Sequence, residues 1–220
     1  MGFIQNLSSG EIIDQLLFIK NNTNQPITNI VFMGMGEPFL NYQNVINAAN
    51  IMNDKSGLNF AAHRITISTA GILPKINKFI NQKLKFNLAI SLNATDDATR
   101  DRLIPINKKW PISSLINIAK QYNKHSRLKI TIEYVLIDSI NDSIEDAKKL
   151  VQLLKNSDCK LNIIPFNDIG NKYKRPSVEK IGQFLKIIYE GHQGFRILVR
   201  WSKGVDINAG CGQLATKGIS

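Results

Sequence analysis

The sequence predicts an α/β fold of parallel strands joined by right-handed helical crossovers. Three observations lead there. Short runs rich in Val, Ile and Leu alternate with amphipathic runs at helical spacing, strand then helix without a break. The strand runs are largely continuous in apolar residues, as suits strands covered on both faces. Small polar residues recur just after the strands, where ligands of parallel α/β proteins gather. No linker or low-complexity segment interrupts the pattern, so residues 1–220 read as a single domain.

Ser8 and Glu11 are spaced as a helix start, and Ile12, Ile13, Leu16, Leu17 and Ile19 follow at helical intervals. A polar loop over 21–26 precedes a strand at 30–33, read as covered on both faces. It runs into Gly34-Met35-Gly36-Glu37-Pro38. The two glycines remove side chains where something must approach the backbone, Glu37 sets a carboxylate at the strand end, and Pro38 stops the ladder. Residues 41–54 form a helix with Val45, Ile46, Ala49 and Met52 inward. A strand at 63–70 is ended by Gly71, and a short helix at 73–81 leads to a strand at 84–92. Residues 96–103 are helical, 104–111 an irregular loop and 112–123 a helix. Strands at 129–137 and 159–165 flank a helix at 143–155. A polar, basic loop at 168–176, a helix at 177–189 and a short strand at 196–200 complete the pattern. The chain opens on a helix, and a parallel barrel or sheet would gain one more strand before it.

The 220 residues suffice for one domain with a full core. A hydrophobic content of 43% and a charged content of 20% describe an ordinary soluble protein. No apolar run has the length of a membrane span, and the first residues lack the features of a signal peptide. Two cysteines are too few for a disulfide framework, so a reducing cytoplasm is the expected setting. The 28 Lys+Arg against 17 Asp+Glu give +11, which favours a polyanionic partner. The abundance of Asn, Ile and Lys offers a second explanation, base bias in the genome.

Glu37 follows the first strand, Ser68 and Thr69 end the second, Ser91 and Asn93 the third, Glu133 lies within the fourth, and Asn167 follows the fifth. Singly, such residues are usually caps or turn formers. Together they make a rim suited to an amino acid carboxylate, an ammonium and a ribose. Three basic clusters carry aromatics: Lys108 and Lys109 with Trp110; Lys172, Lys174 and Arg175 with Tyr173; Arg200 and Lys203 with Trp201. Each alone reads also as a solvated loop, but cations beside rings grip phosphate and stack on unpaired bases. Cys159, in an apolar run, reads as a core residue.

MGMGEP resembles the Gly-Glu motif of radical S-adenosylmethionine (SAM) enzymes. More closely it resembles the 23S rRNA adenine-C2 methyltransferases, which in many bacteria also modify tRNA. ITNIVFMGMGEP, RITISTAGILP, LAISLNATDDATRDRLIPINKKW, ITIEYVLIDSIND, CKLNIIPFN and DINAGCGQL are similar, in order, to successive blocks of that family. The resemblance implies a partial parallel (β/α) barrel of the radical SAM type with its first βα unit missing. It implies that Gly36, Glu37, Ser68, Ser91, Leu92, Asn93 and Asn167 bind SAM; many members carry His in place of Asn93. Glu37 is then the acceptor for the SAM ammonium, with Ser68 and Asn167 on other polar groups. Cys211, in AGCGQLA, matches the cysteine that such enzymes methylate from one SAM. A second SAM is cleaved at a [4Fe-4S] cluster, and the resulting radical activates the S-methyl group for addition to adenine C2. The thiolate is the nucleophile in the first transfer. Lys108, Lys109, Lys172, Lys174, Arg175, Arg200 and Lys203 would then face RNA. The implied partners are 23S rRNA, tRNA and a flavodoxin-type electron donor, around a monomer away from membranes.

One part of the family pattern is missing. Its cluster is held on CxxxCxxC just after the first strand, and this sequence has no such run and no metal-ligand set of its own. Met1 is expected to fall inside a longer protein, downstream of the cluster loop, the second catalytic cysteine and an N-terminal accessory domain. Three readings stay open: the C-terminal part of a larger enzyme, a decayed copy that only binds RNA or SAM, or a half completed by another chain. The chain alone is expected to be inactive in the radical step. The related enzymes that methylate C8 of adenosine are a further alternative.

Overall fold

The protein is described by a computed structural model for residues 3–125, 128–167 and 172–201. Among these residues six strands lie parallel in one sheet and in chain order: β1 (Ile30–Phe32), β2 (Ile65–Thr69), β3 (Asn87–Ser91), β4 (Thr131–Leu136), β5 (Lys160–Pro165) and β6 (Arg196–Val199). Among the described residues seven helices join and flank them: α1 (Ser9–Asn21), α2 (Tyr42–Asn53), α3 (Leu73–Asn81), α4 (Asp97–Leu103), α5 (Ile112–His125), α6 (Ile144–Leu154) and α7 (Val178–Gly191). Among the described residues β1 pairs only with β2 and β6 only with β5, so the strands form an open arc, a partial α/β barrel.

Four of the helices, α1, α4, α6 and α7, begin on a capping side chain: Ser8, Asp96, Ser143 and Ser177. Ser8 accepts from the Glu11 backbone while the Glu11 carboxylate returns to the Ser8 backbone, and Ser143 and Asp146 repeat the arrangement at α6. α2 buries Val45, Ile46, Ala49 and Met52, the face its spacing predicts. The core runs along the sheet, through Ile65 and Ile67, Leu88 and Ile90, Ile132 and Tyr134, and Leu161 and Ile163, into the inner faces of the helices. Cys159 is fully buried just before β5, as an apolar filler. No helix among the described residues is long and apolar enough to cross a membrane.

Several local expectations are corrected. β1 is not covered on both faces: Val31 is 48% exposed, and among the described residues β1 pairs with β2 alone. In α1 only Leu16 is buried and Ile19 is 53% exposed, since that helix packs chiefly on α2 at the same edge. Residues 104–111 are not irregular throughout; Pro105–Lys108 is a 3-10 turn that buries Asn107. His63 and Arg64 belong to a 3-10 turn, Ala62–Arg64, rather than to β2. β3 starts at Asn87 and β4 at Thr131, where their neighbours begin to offer ladder partners.

Candidate active site

The C-terminal ends of the strands converge on a cavity of roughly 550 Å³. Its wall takes Gly34, Gly36 and Glu37 after β1, Ser68 from β2, Ser91 and Asn93 from the end of β3, Glu133 from β4, and Arg200 and Trp201 after β6. This volume lies within the range of small-molecule sites. At Gly34 and Gly36 an added Cβ would meet nothing within 4 Å, and Gly36 has φ +86. The turn therefore presents bare backbone to open space. Glu37 fixes that turn: one carboxylate oxygen accepts from the Phe39 amide at 2.9 Å, the other from the Ala70 amide at 2.6 Å. Each oxygen keeps one lone pair for a ligand, but the first duty of the side chain is to tie the end of β1 to the end of β2.

Below the turn lies a polar floor. Ser68 Oγ donates to Glu133 Oε2 at 3.0 Å, and Glu133 is only 5% exposed. Burial pushes the Glu133 carboxyl up from its ordinary value, opposed by the hydrogen bond from Ser68, by the nearby Asn162 side chain and by the charge of Arg200. Asn93 sits at φ +56, a left-handed conformation that Asn tolerates well. Its side-chain oxygen accepts from the Val135 amide at 2.8 Å, and its carbonyl accepts from Asn141 Nδ2 at 2.8 Å. Asn141 also accepts from the Ile137 amide at 2.7 Å, so two asparagines lock the end of β3 to the loop after β4.

Behind the rim stands Arg100, fully buried in α4. Its guanidinium donates to the carbonyls of Leu92 (2.9 Å), Ala70 (2.7 Å) and Ser91 (2.9 Å) and to Asn107 Oδ1 (2.9 Å). Asn107 in turn donates to Asp97 and Asp101. One cation thus holds the ends of β2 and β3, and desolvation lowers it to about 10. Sequence reasoning missed Arg100, Asn107 and Asn141. The signal available for Arg100 was an arginine in a short helix, one turn from Asp97 and beside Asp101.

The remaining site residues fall as follows. The Leu92 side chain is fully buried, its amide donates to the Glu133 carbonyl at 2.9 Å and its carbonyl is taken by Arg100, so it meets the cavity through no free group. Asn167 is 3% exposed, lies outside the cavity wall and has no partner for its Oδ1 among the described residues. Arg200 reaches from β6 across to Met33 beyond β1, at 3.9 Å from its sulfur. Arg175 lies over the half-exposed Trp201 ring at 5.6 Å, and Lys172 over Tyr173 at 5.2 Å. Lys174 is exposed. Lys108 and Lys109 are also exposed, with Lys109 over Trp110 at 5.1 Å, and neither belongs to the cavity wall. Lys203 and Cys211 lie outside the described residues.

Two ligand groups can be tested against these donors. Among the described residues no set of three or more His, Cys, Asp or Glu could hold a metal ion. The whole sequence has two cysteines, fewer than the three thiolates of the expected cluster type. The residues present do not fit a [4Fe-4S] cluster. They do fit a nucleoside-bearing amino acid such as SAM, through the bare Gly34–Gly36 backbone and the buried Glu133 Oε1, which lacks a donor among the described residues.

A parallel partial barrel with such a turn and floor is the architecture of a class, and the chain belongs to it: residues 2–154 match the Radical SAM superfamily. Within that class, the chain is 44% identical over 218 residues to the probable dual-specificity RNA methyltransferase RlmN of Pseudothermotoga lettingae, covering 99% of this chain and 63% of that protein. It is 44% identical to the dual-specificity RNA methyltransferase RlmN of Geobacter sulfurreducens, covering 97% of this chain and 58% of that protein. The chain therefore spans about three-fifths of the length of these curated relatives. The crystal structure of a radical SAM methyltransferase from Sphaerobacter thermophilus superposes with a TM-score of 0.90 at 40% identity, over 97% of this chain and 63% of that one. A domain of pyruvate-formate lyase-activating enzyme from Bacteroides vulgatus shares the fold, with a TM-score of 0.57 at 16% identity over 79% of this chain and 99% of that one.

Proposed function

We propose that the chain is the SAM- and RNA-binding part of a radical SAM methyltransferase that modifies C2 of an adenosine in 23S rRNA, and also tRNA. The observation that carries this is the juxtaposition at the strand ends. A nucleoside-sized cavity with a bare glycine turn opens beside Trp201 and the cations Arg175 and Arg200. The relatives from Pseudothermotoga lettingae and Geobacter sulfurreducens, which match nearly the whole of this chain, bear the names of RNA methyltransferases.

In this reading SAM, when bound, supplies an electrophilic methyl group. The backbone of residues 34–37 receives its amino acid end, with Glu37 holding the turn in shape. Ser68, Ser91 and Asn93 serve its remaining polar groups, with Asn167 offering a further acceptor and the segment at Leu92 contributing backbone shape. Cys211 is the methyl-accepting thiol, assigned on its match to the CGQL block. Trp201 and Tyr173, flanked by Arg175 and Lys172, grip unpaired RNA, and an adenine must leave its stack to enter. Lys108, Lys109, Lys174, Arg200 and Lys203 add phosphate contacts. The cluster, which these donors do not fit, comes from outside this chain, and a flavodoxin-type protein supplies electrons to a monomeric enzyme in the cytoplasm.

The second reading, a binding remnant without catalysis, is favoured by the shortage of thiolates. Two measurements separate them. Loss of 2-methyladenosine from rRNA when the gene is deleted, read by mass spectrometry, supports the enzyme; 8-methyladenosine in its place redirects the product. Unchanged rRNA and tRNA in the deletion strain leaves the remnant. Adenine methylation by the purified chain alone, with SAM and reductant, contradicts an external cluster.

A further inference from the structure

Glu133 is a buried carboxyl that the reading above leaves unused. It stands in the middle of β4, in register with Ser91 of β3 and Asn162 of β5. Its carboxyl belongs to the cavity wall although it is only 5% exposed. Oε2 is engaged by Ser68 Oγ at 3.0 Å, whereas Oε1 has no hydrogen-bond partner among the described residues. A buried acceptor left without a donor is costly, and such groups in native proteins usually mark a ligand, an ordered water or a catalytic role. The charged groups of the cavity wall are few. Glu37, after β1, already has a backbone amide on each carboxylate oxygen, and Arg200, after β6, is the cation whose field reaches Glu133. β2, β3 and β5 present the uncharged Ser68, Ser91 and Asn162. Glu133 is therefore the deep carboxyl with an oxygen to offer.

We propose that Glu133 is a ligand-binding residue of this cavity, its Oε1 receiving a hydroxyl or amino hydrogen from the adenosyl part of the bound cofactor. The proposal rests on the SAM-binding reading. It has a consequence that a purely structural role lacks. A donor aimed at Oε1 favours the ionised carboxyl, while burial in the empty cavity favours the protonated one. Ligand entry then expels a proton to solvent, and affinity rises with pH until the free protein has itself lost that proton.

The test is calorimetric titration of the chain with S-adenosylhomocysteine across mildly acidic to neutral pH, in buffers of differing ionisation enthalpy, and again with 5′-methylthioadenosine. Both ligands should release a proton on binding. E133Q, checked for an unchanged circular dichroism spectrum and thermal melt, should bind about tenfold more weakly at neutral pH, without proton release or pH dependence. S68A should keep the proton release. Three outcomes overturn the inference while leaving the SAM-binding reading intact: binding without proton release, release that persists in E133Q, or release with S-adenosylhomocysteine but not with 5′-methylthioadenosine. No binding of either ligand to the wild-type chain removes the SAM-binding reading itself.

Discussion

Arg100→Met removes the cation that holds the rim together. Four acceptors depend on it: the carbonyls of Ala70, Ser91 and Leu92 and the side-chain oxygen of Asn107. Hydrogen bonds to a charged group contribute about 1.5–3 kcal/mol each, but relaxation and water recover part of that when the donor goes. Removing one member of a buried charged network costs about 3–5 kcal/mol in measured cases, and that range is the expected loss here. Asp97 and Asp101 also lose their nearby positive charge, which keeps the estimate from falling to the low end. The assay is urea denaturation followed by circular dichroism, with an unchanged slope against denaturant to show that the same surface unfolds. Arg100→Lys keeps the charge but offers one nitrogen where three span the acceptors, so it should recover less than half of the loss. A destabilisation below about 1 kcal/mol for Arg100→Met would falsify the view that this guanidinium anchors the ends of β2 and β3.

Gly71 has φ +111, and a Cβ there would lie 2.7 Å from Leu115 Cδ2, so Gly71→Ala should lose about 1–3 kcal/mol by the same denaturation assay; an unchanged midpoint contradicts this. Burial raises the folded-state pKa of Glu133, so the folded protein holds a proton that the unfolded chain, with a pKa of about 4.3, gives up more readily. Its share of stability is present below that unfolded value and declines as pH rises towards the folded one. Urea midpoints should accordingly show E133Q gaining on the wild type as pH climbs through this window, and parallel curves argue against it. Trp201→Ala should weaken binding of a fluorescent single-stranded RNA, followed by anisotropy, by about 1–3 kcal/mol if one base stacks on the indole; a change within about twofold rules out stacking. If Lys108, Lys109, Lys174, Arg200 and Lys203 each meet a phosphate, the slope of log K against log salt for that RNA should be about −3.5, against a slope near zero if they face solvent.

The parallel architecture was legible because strands and helices obey different periods, and the chain switches between them regularly. The rim was legible through its position, since Glu37, Ser68, Ser91 and Asn93 sit at or just past strand ends, where ligands of parallel α/β proteins gather. Edges were legible only in part: the opening on a helix left β1 without an earlier strand to pair with, but its exposed face was not foreseen. The IVF run of β1 has the composition of a central strand, and only the sheet shows that nothing lies beyond Val31 among the described residues. Nor did the sequence separate residues that face a ligand from those that hold the frame. Leu92 and Asn93 are neighbours in one motif, yet the first is packed into the core and the second spends its side chain on Val135. Arg100 was hidden for a related reason: a charge in a helix looks solvated until the surrounding carbonyls are in place.

The strand order along the sheet repeats the order along the chain. Every strand finds its partner in the segment synthesised just before it, so each pairing closes a loop of modest length and no earlier strand must wait for a distant one. A polypeptide leaving the ribosome N-terminus first can extend such a sheet one unit at a time, with only the newest strand lacking its neighbour. The mouth of the cavity, which needs Arg200 and Trp201 beyond the sixth strand, is the last part of this arc to come together.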